Sequence, residues 1–214
     1  KVPVNEIMDE LAFTTIASIA LQGIRESKAK FGEYVGIIGL GLIGQITAEL
    51  LSAAGIIPVG IDLDEFKVDF LKERGFPSFN RNDSNLVSNC KALTNVDGLD
   101  RVIITAGTNS SDPIKLATEL LRIRGRITVV GSVGLNLERS EFYNKEIQFS
   151  ISKSYGPGRY DDSYEIKGND YPVGYVRWTE NRNMESIADL LIKEKVSFKH
   201  LISKRYTIDR CEEA

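Results

Sequence analysis

Cysteine and histidine are scarce in this chain. It has two cysteines, Cys90 and Cys211, and one histidine, His200, among 214 residues. The cysteines form no C-x-x-C pair and suggest no disulfide framework, which fits a reducing compartment such as the cytoplasm. Together with His200 they share no ligand spacing, so no metal site is expected here. His200 lies in the C-terminal tail without an identifiable carboxylate partner, and reads as an ordinary surface or satisfied histidine rather than a catalytic one. A strong charge bias is also missing. The net charge of −3 leaves no electrostatic footprint for nucleic acid or an anionic membrane. No apolar run is long enough to span a bilayer, and no signal-peptide pattern is visible. A hydrophobic content of 42% and a charged content of 27% are those of an ordinary soluble protein with room for one full domain.

Val35-Gly36-Ile37-Ile38-Gly39-Leu40-Gly41-Leu42-Ile43-Gly44 organises the rest of the chain. The apolar run ending at Ile38 reads as a buried strand. From Leu42 the pattern turns helical, with Ile43, Ile46, Leu50 and Leu51 able to share one face. Between them Gly39, Gly41 and Gly44 have G-x-G-x-x-G spacing. In a strand–turn–helix context the first glycine permits the tight turn, the second lets the backbone approach a pyrophosphate, and the third lets helix pack on strand. The helix N-terminus favours an anion. Ile56 to Ile61 reads as a second strand, ending in Asp62, 18 residues past Gly44. That is close to the ~20 expected of the carboxylate that binds a ribose 2′-OH. A 2′-phosphate there would meet a like charge, so the pattern predicts NAD in preference to NADP.

Elsewhere the pattern alternates strand and helix. Glu6 to Lys30 reads as one helix. Asp64 to Arg74 reads as another, with Gly75 as its C-cap and Lys67 able to reach the same ribose as Asp62. Phe76 to Phe79 suggests a short third strand, and Asp83 a cap for a helix to Leu93. Asp100 to Gly107 is apolar along its length, as a parallel strand covered on both faces should be. Asp112-Pro113 opens a helix to Leu121. Gly125 to Ser132 is the next strand. These alternations predict an α/β fold with a doubly wound parallel sheet. Ligands bind at the carboxyl ends of such strands. Thr105, Ala106 and Gly107, and Gly131, Ser132 and Val133, are small residues at two of those ends, expected to flank the cofactor's rings. Glu146 to Ser152 alternates polar and apolar, as an edge strand does, and invites pairing with a second copy.

Ser154 to Thr179 differs in composition. It holds five tyrosines, the only tryptophan (Trp178), four glycines and two prolines, and reads either as a lid or docking surface or as a loop packed on its own core. Asn181 or Asn183 caps a helix through Lys195, with Met184, Ile187, Leu190 and Leu191 inward; Phe198 to Tyr206 reads as mostly extended. The chain begins at Lys1, not Met, and ends as a helix would begin, at Asp209, which suggests a piece of something longer.

With these residues placed, the chain resembles the coenzyme-binding Rossmann domain of the medium-chain dehydrogenase/reductase superfamily, the alcohol-dehydrogenase-like proteins. The matches are the helix before the first strand, Gly39-Leu40-Gly41-Leu42-Ile43-Gly44, Asp62 with Lys67, Gly125-Arg126, Lys145-Glu146-Ile147 and Ser203-Lys204-Arg205-Tyr206-Thr207-Ile208. Ser154-Tyr155-Gly156-Pro157-Gly158-Arg159-Tyr160, Asp170-Tyr171-Pro172 and the run from Tyr175 to Met184 look like a subgroup of bacterial two-part oxidoreductases linked to surface-polysaccharide biosynthesis. The resemblance implies one dinucleotide-binding domain over 1–214: a core at about 30–153, an aromatic loop at 154–180, and a C-terminal helix and tail at 181–214. It implies a catalytic domain outside this chain. Zinc-dependent members carry a Cys or Glu ligand before the first helix. The matching stretch Ala12-Phe13-Thr14-Thr15-Ile16 has neither, which puts a catalytic zinc in doubt.

The expected function is therefore NAD(H) binding on behalf of an alcohol- or sugar-type dehydrogenase. The backbone of Gly39 and of Gly41, Leu42, Ile43 and Gly44 would hold the pyrophosphate, with Asp62, Leu63 and Lys67 at the ribose. No acid, base or metal set is legible, so the fragment is expected to bind NAD and turn nothing over. Its expected partners are the missing catalytic domain, a small-molecule substrate and a second copy through strand 146–152. A short-chain dehydrogenase is disfavoured, since no tyrosine has a lysine four residues on. A regulatory nucleotide-sensing module and a non-catalytic dimerisation domain are the rivals.

Overall fold

The computed structural model describes residues 7–94 and 96–213. Six strands form one parallel sheet: β1 (Tyr34–Ile38), β2 (Ile57–Asp62), β3 (Ser78–Asn80), β4 (Leu99–Ile104), β5 (Leu121–Val129) and β6 (Gln148–Ile151). Their order across the sheet is β3-β2-β1-β4-β5-β6. The chain thus runs outward from β1 to one edge, returns, and runs outward to the other. This makes the boundary between β1 and β4 a topological switch point, where a crevice opens beyond the strand ends. β1 and β4 are buried along nearly their whole length because both faces are covered.

Nine α-helices are described: α1 (Met8–Leu11), α2 (Thr14–Ser27), α3 (Leu42–Ala53), α4 (Glu65–Glu73), α5 (Leu86–Leu93), α6 (Asp112–Leu120), α7 (Arg139–Lys145), α8 (Asp162–Glu165) and α9 (Glu180–Ile192). Two apolar clusters hold the layers together. One joins Val35, Ile37 and Ile103 to Ala17, Ile46, Leu51, Leu71, Ile187 and Phe198. The other joins Val102, Ile104 and Ile127 to Leu86, Cys90, Leu116 and Leu120.

Several boundaries depart from the sequence reading. The single helix expected from Glu6 is two helices broken at Ala12-Phe13, and Glu6 itself lies outside the described residues. β5 begins at Leu121 rather than Gly125, because Leu121 already pairs with Leu99. The strand placed at Phe76 to Phe79 is β3, displaced to Ser78–Asn80. Asp83 does not cap α5. Asn85 occupies that position, and Asp83 instead accepts a hydrogen bond from the Asn85 N–H. Neither Asn181 nor Asn183 caps α9. Thr179 does, its hydroxyl accepting from the Arg182 N–H. Asn183 is fully buried and donates to the Gln22 side chain and the Tyr155 carbonyl. Tail residues Lys199–Leu201 form a 3-10 turn, as do Ile208–Glu213. The tail is tied down by Glu10, whose carboxylate accepts from the Ser197 hydroxyl (2.8 Å) and the Phe198 N–H (2.5 Å).

The aromatic segment packs on the domain's own helices. Gly156 lies against Gln22 and Asn183. Tyr164 stacks on Tyr171 with centroids 5.4 Å apart, and its hydroxyl donates to Thr179. Trp178 is covered by the Arg25 guanidinium, 3.4 Å from the ring centroid. In β6, Phe149 reaches the second cluster, but Ile151, of the same parity, is 59% exposed.

Candidate functional site

A cavity of about 440 Å3 opens at the carboxyl ends of β1, β2 and β4, within the range of small-molecule sites. Its walls include Gly39 and Gly41 from the turn after β1, Asp62, Leu63 and Lys67 from the end of β2, and Thr105, Ala106 and Gly107 from the end of β4. Three loops spread over more than sixty residues of chain thus meet beside the switch point.

The turn is built by close approaches. Gly39 has φ +102°, and a Cβ there would stand 2.6 Å from the Ala106 backbone nitrogen. A Cβ on Gly44 would stand 2.0 Å from the Gly39 carbonyl oxygen. Gly41 is different: a Cβ there meets nothing within 4 Å. Nothing in the fold requires glycine at 41, and the space in front of its backbone is open. Gly41 is also the N-cap of α3 and offers no side chain to the helix. The first-turn N–H groups at Leu42, Ile43 and Gly44 therefore remain available to an anion. Leu42, Ile43 and Gly44 themselves are not part of the cavity wall; what they offer is the run of N–H groups that follows Gly41.

Asp62 faces this turn from β2. One carboxylate oxygen accepts from the Leu40 N–H at 2.6 Å, the other from the Asp64 N–H at 2.9 Å. It braces the glycine turn while keeping lone pairs on both oxygens for a ligand. Thr105 is also a brace, its hydroxyl donating to the Gly39 carbonyl at 2.5 Å. Lys67 reaches the rim, with its ammonium 3.5 Å from Asp64 and both side chains well exposed.

The structure does not bring Gly131, Ser132 and Val133 into the cavity wall. They lie behind the loop after β4. A Cβ on Gly131 would be 2.1 Å from the Ala106 carbonyl oxygen, and the Ser132 carbonyl accepts from the Thr108 N–H. They pack against that loop, whose residues Thr105 to Thr108 line the cavity. Conversely, Arg81, Thr108, Ser110, Asp112 and Pro113 complete the wall. Arg81 and Asp112 form a two-point ion pair (Nη2–Oδ1 2.7 Å, Nε–Oδ2 3.0 Å). Their mutual hydrogen bonds push Arg81 above and Asp112 below their ordinary pKa values. Arg81 directly follows β3, so its place at a carboxyl strand end was open to sequence reasoning. Its pairing with a residue 31 positions away was not.

His200 does have a carboxylate neighbour. It is half-buried, stacks on Phe70 with centroids 5.9 Å apart, and its Nε2 is 3.5 Å from Glu49. Burial, and then the Arg74 cation, push its pKa below the ordinary value. It lies outside the cleft. Among the described residues no three His, Cys, Asp or Glu side chains are grouped to hold a metal.

The model of the family described as zinc-binding dehydrogenase matches residues 43–166. The chain belongs to this family. It has the coenzyme-binding Rossmann fold of the medium-chain dehydrogenase/reductase superfamily, in which the family model and its relatives place it. It is 28% identical over 206 residues to the D-guloside 3-dehydrogenase of Escherichia coli K12, matching 92% of this chain and 54% of that protein. Among solved structures, an NADH complex of an Escherichia coli CFT073 alcohol dehydrogenase superposes with a TM-score of 0.77 at 16% identity, covering 100% of this chain and 56% of that one. A putative zinc-binding dehydrogenase of Sinorhizobium meliloti 1021 bound to NADP gives 0.72 at 20% identity, covering 94% and 54%. The family member thus spans about half the length of the curated relatives it matches.

Proposed function

We propose that this chain is the NAD(H)-binding part of an oxidoreductase that moves hydride between nicotinamide and an alcohol or carbonyl carbon of a sugar-like substrate. The observation that carries the reading is the open space before Gly41, at an uncapped helix N-terminus beside the switch point, with Asp62 at the end of the adjacent strand β2 lining the same cavity. The donor set fits a dinucleotide: free N–H groups for a pyrophosphate, a carboxylate with spare acceptor capacity for a ribose diol, and small residues at Thr105 to Gly107 for a flat ring. Bound nicotinamide would supply the hydride chemistry. The chain's own contribution is to bind and orient, through α3's first turn and Asp62, with Lys67 at the rim.

The sugar-dehydrogenase relative supports a polyol or sugar substrate, and the aromatic segment supports a role in surface-polysaccharide synthesis. Substrate-contacting residues would come from a catalytic domain beyond these residues, so this chain alone is expected to bind without turnover. The exposed Ile151 on edge strand β6 supports pairing with a second copy. A cytoplasmic location belongs to the same reading.

Calorimetric titration with NADH and NADPH tests it. NADH should bind more tightly, and Asp62→Ala should weaken NADH and shrink the difference. Because Asp62 also accepts two backbone N–H groups, the variant's melting temperature must be followed alongside. Failure of the wild-type chain to bind either dinucleotide would overturn the reading.

A further inference from the structure

Asp62 is not the only charge that decides what this cleft admits. Four ionisable side chains line it: Asp62 and Asp112, Lys67 and Arg81. Their formal charges cancel. The carboxylate of Asp62 is already engaged by two backbone N–H groups, which blunts its repulsion of a neighbouring phosphate. The guanidinium in this wall is that of Arg81. Its backbone N–H donates to the Asp62 carbonyl at 2.8 Å, so Arg81 is the lateral neighbour of the residue that would carry the ribose. A guanidinium there suits a phosphate as well as a carboxylate, because its planar fork matches either. Yet it is turned away, forked onto Asp112 in the first turn of α6. The pair is partly exposed, at 29% and 50% of the two side chains. An exposed pair of this kind contributes little to folding. Its position, from the end of β3 to the start of α6 and within the cleft wall, is what sets it apart.

We propose that Asp112 is a specificity-determining positioning residue: by holding the Arg81 guanidinium it denies that cation to a 2′-phosphate beside Asp62, and so keeps the cleft selective for the dinucleotide with a free 2′-hydroxyl. The inference rests on the cofactor reading above. Neutralising residue 112 frees Arg81, and the same cleft then takes NADP(H). Lys67 also lines the cleft, its exposed ammonium 3.5 Å from Asp64, but it is a point charge without the planar fork that grips a phosphate at two points.

The test is calorimetric titration of wild type, Asp112→Asn, Arg81→Gln and the double variant. The probes are 5′-ADP against 2′,5′-ADP, and NADH against NADPH. Asp112→Asn should gain about tenfold in affinity for 2′,5′-ADP and NADPH, the value of one charge-assisted contact, while 5′-ADP and NADH change little. Arg81→Gln and the double variant should show no such gain. Equal weakening of all four ligands in Asp112→Asn, with a lowered melting temperature, would mean that the pair only staples β3 to α6, and would overturn the inference while leaving the cofactor reading intact. Wild-type protein that binds none of the four would overturn both.

Discussion

Gly41→Ala should separate folding from binding. At Gly41 the backbone has φ −67° and ψ −170°, a conformation alanine adopts without strain. A methyl group there meets no protein atom within 4 Å. Alanine restricts the unfolded chain, worth about 0.4–1 kcal/mol in favour of the variant. Against this, alanine is a poorer N-cap than glycine by roughly 0.5–1 kcal/mol. The two nearly cancel, so the melting temperature should move by no more than about 3 °C in a chain of this size. The cost falls on the ligand. The methyl occupies the open space through which a pyrophosphate approaches the first turn of α3, and an intruding methyl in a filled site costs about 1–3 kcal/mol. That corresponds to roughly 5- to 150-fold weaker NADH binding. Calorimetric titration and thermal unfolding of the same preparation read both numbers. Gly41→Ala protein that binds NADH like wild type would show that the pyrophosphate does not sit at this helix terminus. A large loss of stability would show that the space is not free.

Gly44→Ala should do the reverse. Its Cβ would lie 2.0 Å from the Gly39 carbonyl oxygen, backbone against backbone, so the variant should lose about 3 kcal/mol or more in denaturant unfolding. Asn183→Ala should cost about 1–3 kcal/mol by the same measurement, since it strands the buried Gln22 side chain and the Tyr155 carbonyl. His200 carries a pH dependence. Its folded pKa lies below the ordinary 6.5, chiefly through burial, so as pH falls through that value the unfolded chain takes up the proton first. Stability is then complete above this window and declines below it, and His200→Gln should show a shallower loss between pH 7.5 and 5.5. Burial pushes the Cys90 thiol up to about 12, whereas Cys211 is exposed. Thiol titration of native protein should find one fast-reacting group, and two after unfolding.

The local features were legible in the residues themselves. The strand–glycine–helix opening, Asp62 at the end of the second strand and the strand–helix alternation are set by short-range sterics and periodicity. Motif spacing reports these directly, and the family followed from them. What only the tertiary structure decided involves pairs distant in sequence. Arg81 meets Asp112, Asp62 reaches back to Leu40, and Glu10 seats the tail at Phe198. Gly131 abuts the Ala106 carbonyl, 25 residues earlier in the chain. Asn183, a plausible cap by composition, is buried because α9 packs on α2, which leaves Thr179 to do the capping. In each case a side chain's role depends on which of several hydrogen-bonding partners the fold brings within reach. That choice is made by the packing of whole elements, and no local pattern encodes it.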